Sequence, residues 1–317
     1  MTVADTRCAG PENEPPTAVG LFAPISYPTG LPPADKVIGF ARAVDEGPFD
    51  SLWVGDHLLW HGPFLEATTT LAALAAVTAR VTIGTNVYLI GLRPSLVSAR
   101  TLGTVDYLSG GRLVLGVGMG GDNPKEFEAL GLDVGRRRQL YEVAMADVFR
   151  WWDGTEGVSG QSVEPSPQGS IPLWMGGRSE AAIRRAVEGG ATAWSAHLMT
   201  VDRLRQSAEA LDALAAAAAV PKPKVAVTVF VDVCSRTRCH VGGMEFMTRH
   251  FATSDASKIA QYVITGDVEG CVEQLASYAQ VADHIVVFVA SDAPWEHMDD
   301  LAEIAGRVRT VRRRGGA

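Results

Sequence analysis

The stretch Leu102-Gly103-Thr104-Val105-Asp106-Tyr107-Leu108-Ser109-Gly110-Gly111-Arg112-Leu113-Val114-Leu115-Gly116-Val117-Gly118 changes its hydrophobic period halfway along. Leu102, Val105 and Leu108 recur at helical spacing, whereas Leu113 to Val117 is a continuous apolar run of strand type. Between them Gly110-Gly111 offers the left-handed backbone on which helices commonly end. A helix that stops at glycine and feeds a strand apolar on both faces is the repeating half of a parallel, doubly covered sheet.

The same unit recurs in both directions. Apolar runs of strand type lie at 18–22, 51–54, 81–87, 113–117, 171–175, 191–194, 225–231 and 285–290. Between them come amphipathic faces: Val37, Phe40, Ala41 and Val44; Leu71, Leu74 and Val77; Ile183, Ala186 and Val187; Val272, Leu275 and Tyr278; Leu301, Ile304 and Val308. Gly47 and Gly189-Gly190 follow helix ends as Gly110-Gly111 does. A doubly wound open sheet and a closed barrel both fit this alternation. Eight strands, the early ones ~30 residues apart, favour an α/β fold of the (β/α)8 TIM-barrel type. Its insertions follow strand 4 (118–170) and strand 7 (232–284), where binding loops grow. Residues 1–16, with three prolines and no periodicity, read as a disordered tail, and 17–317 as one barrel domain.

Composition narrows the function. Among 317 residues, 36 are acidic and 28 basic, for a formal charge of −8, so nothing favours nonspecific binding to nucleic acid or anionic lipid. No basic-then-apolar leader opens the chain and no apolar run reaches membrane length, which reads as a cytoplasmic protein with no membrane partner. Four cysteines make no disulfide scaffold. Cys234, Cys239 and His240 resemble half a metal site whose other half is absent, so no metal is expected.

In a barrel, chemistry collects at the C-terminal ends of the strands. The second strand ends in Asp56-His57, with Trp53 and Trp60 on either side. Histidine there can move a proton, and the tryptophans can wall a substrate pocket; equally, Asp56 can cap the turn and His57 can pack. Asn86 closes the third strand, and its amide needs either a ligand edge or a neighbouring loop. Gly116-Val117-Gly118-Met119-Gly120-Gly121 matches G-x-G-x-x-G formally, yet it sits on the fourth strand and Asn123-Pro124 interrupts before any helix. It reads as bare backbone that a flat ring or phosphate can approach. Gly176-Gly177-Arg178-Ser179 ends the fifth strand and opens a helix, an anion site in kind or an ordinary capped turn. His197 follows the sixth strand as a pocket candidate. His240, His250, His284 and His297 read as surface or loop residues, and Gly135-Arg136-Arg137-Arg138 as a solvated face. A lyase or isomerase would need a lysine or glutamate base on a strand end, and neither is evident.

Phe49 to His57, Arg80 to Val87, Leu102 to Gly118, Phe127-Glu128-Ala129-Leu130-Gly131 and Ile171 to Ser179 together resemble the luciferase-like flavin and deazaflavin oxidoreductase family, over roughly 19–308. The resemblance implies a barrel enzyme with a non-proline cis peptide at Asn86-Val87. The cofactor ring would rest on Thr85, Asn86 and Val87, with Gly118, Met119 and Gly120 along the ring or its side chain. Gly176, Gly177, Arg178 and Ser179 would hold its phosphate. His57, with Asp56, would act at the reacting carbon; Trp53, Trp60 and His197 would face the substrate, under a variable lid at 232–266. The cofactor implied is coenzyme F420, moving a hydride to or from a small organic substrate; the alternative is FMN in a two-component monooxygenase using O2. A homodimer and a flavin or F420 reductase partner are implied as well. The Met119-Gly120-Gly121 run lacks the arginine of luciferase-type members. Gly121 also stands where the sugar-phosphate dehydrogenase branch carries a glutamate, which argues against glucose 6-phosphate.

Overall fold

The computed structural model describes residues 16–28, 30–154, 162–167, 169–234 and 242–311. The tail expected at 1–16, except Pro16, and Cys8, Cys239 and His240 lie outside the described residues. The strands are β1 (Ala18–Phe22), β2 (Ser51–Val54), β3 (Thr82–Thr85), β4 (Leu113–Val117), β5 (Leu173–Gly176), β6 (Ala193–His197), β7 (Lys224–Val233), β8 (Val263–Gly266) and β9 (His284–Val289). Each of β1 to β7 pairs in parallel with the next, and β9 closes the ring by pairing with both β7 and β1. Eight strands thus make the closed barrel expected.

The ninth, β8, is outside the ring and was not anticipated. It pairs with Phe230 to Val233, beyond the part of β7 that pairs with β6. Val263-Ile264-Thr265-Gly266 is too short and too polar to announce itself as a strand. The insertion after β7 carries it together with the helices Gly243–His250 and Ser257–Ala260. The insertion after β4 carries the helices Lys125–Ala129 and Arg137–Asp153.

Most predicted helix faces are buried, among them Val37, Phe40, Ala41 and Val44, then Ile183, Ala186 and Val187. Leu108 differs: it is 53% exposed near the end of its helix, while Leu102 and Val105 are buried. Gly110 (φ 69°) and Gly190 (φ 64°) take the left-handed turn expected, but Gly47 (φ −84°, ψ −176°) is extended.

The barrel lumen is filled, not hollow. Trp53 and Trp174 lie against each other with ring centres 4.1 Å apart and planes tilted by 30°, and His284 meets both edge-on. A Cβ on Gly84 would come within 2.5 Å of the Trp53 ring, so the missing side chain at 84 makes room for the indole. Ser51 Oγ accepts from Trp53 Nε1 at 2.7 Å and contacts His284 Nε2 at 2.7 Å, which satisfies the buried polar atoms of this layer. Trp53 is therefore a fully buried barrel-core residue and does not wall the substrate pocket. Its position within β2, rather than after it, points the ring inward. His284 likewise is no surface residue: burial pushes it down to about 4. No described helix is long and apolar enough to cross a membrane, and no group of three or more described His, Cys, Asp or Glu residues could hold a metal.

Candidate active site

The C-terminal ends of the ring strands share one cavity of about 550 Å³. Asp56, His57, Asn86, Val87, Gly118, Met119 and Gly120 line it, as do Gly176 to Ser179, Trp60 and His197. The predicted site residues therefore meet, apart from Trp53 and the strand residue Thr85. Thr85 is fully buried; its hydroxyl donates to Gly116 O at 2.7 Å and accepts from Gly116 N at 3.0 Å, tying β3 to β4 beneath the cavity.

Asp56 has a structural assignment. Its carboxylate, fully buried, accepts from Arg93 Nη1 at 2.6 Å and Nη2 at 2.8 Å and from Leu89 N at 2.9 Å. All its strong contacts go to scaffold, so it anchors the loop after β3 rather than reaching the cavity with a free oxygen. Arg93, which lies over the Tyr88 ring at 4.6 Å, gave no sign of this in the sequence, 37 positions away.

His57 stacks on Trp60 with ring centres 3.9 Å apart, and its Nδ1 lies 3.3 Å from both oxygens of Glu126. Glu126 is fully buried and also accepts from Leu58 N at 2.7 Å. This dyad was missed. Glu126 sits in the short helix Lys125–Ala129 that the insertion folds back over β2. Asn123 pins that helix by donating to Leu59 O at 3.0 Å.

The Asn86–Val87 peptide is cis. The Asn86 amide is occupied on both sides: Nδ2 donates to Thr228 Oγ1 and Oδ1 accepts from Ser195 Oγ, each at 2.9 Å. That clamp spans β3, β6 and β7 and fixes the cavity floor. Val87 then seats between two glycines. A Cβ at Gly118 would lie 2.4 Å from Val87 Cγ2, and one at Gly176 would lie 2.7 Å from Val87 Cγ1.

At the other end, Ser179 caps the helix Glu180–Glu188 by accepting from Ala182 N at 3.2 Å. Arg178, Arg185, Arg203 and Arg137 all line this end, and Arg203 Nη2 donates to Arg178 O at 3.2 Å. Arg137 is exposed, as expected of a solvated face, yet it also lines the cavity beside Gly121, where a Cβ would be 3.2 Å from its Cδ. Burial and the Arg178 charge hold His197 well below the usual histidine range, so it is neutral at pH 7. A helix N-terminus with guanidinium groups is the donor set of an anion site.

The family model for luciferase-like monooxygenases matches residues 17–239. The chain belongs to this family. It is 31% identical over 139 residues to the pyrimidine monooxygenase RutA of Allorhizobium ampelinum, covering 40% of this chain and 37% of that protein. The chain spans less than half the length of the curated relatives it matches. In fold it is similar to an F420-dependent secondary alcohol dehydrogenase holding an F420–acetone adduct (TM-score 0.77, 17% identity, 92% of this chain and 99% of that one). It is also similar to the oxygenating component of 3,6-diketocamphane monooxygenase from Pseudomonas putida with FMN (TM-score 0.67, 15% identity, 94% and 97%). Both F420 and FMN therefore occur among its structural neighbours, and the family's members are oxidoreductases or monooxygenases.

Proposed function

We propose that the protein is an F420-dependent oxidoreductase acting on the carbon–oxygen bond of a small organic substrate. The observation that carries this reading is the His57–Glu126 dyad on an otherwise apolar cavity wall. Interconverting an alcohol and a carbonyl moves a hydride at carbon and a proton at oxygen, and the proton needs a positioned acid–base group.

The residues present fit a phosphorylated tricyclic cofactor. Val87, Leu89 and Met119 offer an apolar surface beside the bare backbone of Gly118 and Gly120. The arginine-lined end suits an anionic side chain. Four guanidinium groups exceed the need of one phosphate and suit the longer anionic tail of F420 better than the single phosphate of FMN. Bound there, F420 would supply a two-electron hydride carrier. His57 takes the hydroxyl proton when an alcohol is oxidised and returns it when a carbonyl is reduced. Glu126 orients the imidazole through Nδ1. Trp60, stacked on the ring, limits its rotation, and Asp56 holds the loop through Arg93.

The second reading, an FMN monooxygenase, is favoured by Arg137, an arginine lining the cavity beside Gly121 just after β4, and by the similarity to the pyrimidine monooxygenase. Titration of the purified protein with F420 and with FMN separates the two. The first reading expects saturable perturbation of the F420 absorption band and anaerobic turnover with an alcohol. Binding of FMN with no response to F420 would refute it.

A further inference from the structure

The insertion after β7 brings a histidine into the cavity that the chemistry above does not use. His250 ends the helix Gly243–His250, is 9% exposed, and lines the cavity. Nδ1 is fully buried and has no hydrogen-bond partner among the described residues. Its neighbours are aromatic: Phe246 parallel at 6.0 Å, Phe251 edge-on at 5.0 Å, Phe288 at 5.3 Å and Trp60 at 5.6 Å between ring centres. Trp60 Nε1 is buried and unpartnered as well. Buried polar atoms are almost always hydrogen-bonded, so two unpartnered ones on adjacent cavity-lining rings call for partners. Burial, with the nearby His57 and His61 next, pushes His250 down to about 4, so the ring is neutral at pH 7 and can accept as well as donate.

We infer that His250 is a specificity-determining residue: within an aromatic subsite it recognises a hydrogen-bonding group on a ring-shaped substrate whose carbonyl or hydroxyl lies at His57. Trp60 touches both histidines, so it separates the reacting end of such a molecule from the recognised end. The surrounding phenylalanines select an aromatic or alicyclic body, because they stabilise apolar surface and offer no polar alternative. A substrate without the second polar group leaves the imidazole unpaired and binds less tightly.

This inference rests on the cavity being the catalytic site but not on which cofactor it takes. The test measures dissociation constants of acetophenone and 4-hydroxyacetophenone by calorimetry on the full chain, for the wild type, H250F and H250Q, with F420 and FMN titrated into the same preparations. Wild type should prefer the hydroxylated ketone by about tenfold. H250F should lose the preference while keeping acetophenone affinity, and H250Q, which retains a hydrogen-bonding amide, should keep part of it. Imidazole ¹⁵N resonances of the wild type give a second readout needing no variant: one histidine should respond to the hydroxylated probe and not to acetophenone. Equal affinities in the wild type, an unchanged ratio in H250F, or binding of neither probe overturns the inference; an ordered water as the sole partner of His250 would give the first of these. Selective binding with no response to F420 refutes the cofactor reading alone.

Discussion

Replacing Asp56 by Asn separates an anchoring role from a chemical one. The native carboxylate is fully buried and makes three contacts of 2.6 to 2.9 Å, two to Arg93 and one to Leu89 N. Arg93 has a side chain only 12% exposed, so losing Asp56 leaves its guanidinium charge with only the more exposed Glu66, 3.2 Å from Nη2. Breaking one side of a buried pair costs about 3–5 kcal/mol, and Asn keeps one accepting oxygen, which places D56N near 3. At roughly 2–4 °C per kcal/mol for a domain of somewhat smaller size, the melting temperature should fall by about 6–12 °C. Removing both charges in D56N/R93M should recover at least half of that loss, because the buried guanidinium is gone and Glu66, the partner it leaves, is 40% exposed. Calorimetric unfolding of the two variants measures this, with activity followed in parallel. A D56N protein that melts within about 2 °C of wild type yet is inactive refutes the reasoning, because Asp56 would then act on the reaction and not on the fold.

Three other outcomes are expected. H57A and E126Q should each lower kcat by about 10²-fold or more while leaving cofactor affinity within a few-fold, read by steady-state kinetics and cofactor titration; a loss under about threefold would reduce the dyad to packing. G118A should destabilise by roughly 1–3 kcal/mol, since its new methyl would meet Val87 Cγ2; V87A/G118A should regain most of this in denaturant unfolding, because the nearest remaining Val87 atom, Cβ, lies at 3.4 Å. His284 and His250 both have folded values near 4, against an ordinary 6.5. Between those values the unfolded chain binds more protons than the native one, so stability is full above pH 6.5 and declines as pH falls toward 4. H284Q, which removes the titrating ring, should flatten part of that slope in thermal melts across this window.

Periodicity alone carried the architecture a long way. The Leu102–Gly118 stretch, read for its change of period and its glycine stop, led to a repeating helix–strand unit and then to a ring of eight, because both signals are local and are set by backbone geometry. The same holds for Asn86, Gly118 to Gly120 and Gly176 to Ser179: strand ends can be read in one dimension, and a closed ring must bring them to one rim. Two features escaped. Strand β8 is too short to show a period, and Leu108 continues a helical pattern past the point where the core still covers it.

Partnership between distant side chains was not legible. Asp56 and His57 are adjacent and looked alike as candidates, yet one is consumed by Arg93 and the other is left facing the cavity beside Glu126. No spacing rule links residues 56 and 93 or 57 and 126; only the folding-back of the loops after β3 and β4 decides which carboxylate meets which cation or ring. Trp53 and Trp60 were equally matched on paper, and burial within β2 sent the first into the barrel core. His250 and His284 read as surface residues because isolated histidines are usually exposed. Their burial depends on aromatic side chains contributed from elsewhere in the chain, whose positions are set in three dimensions. Local chemistry thus determined the barrel and its rim, while long-range packing decided which residues on that rim remain free to react.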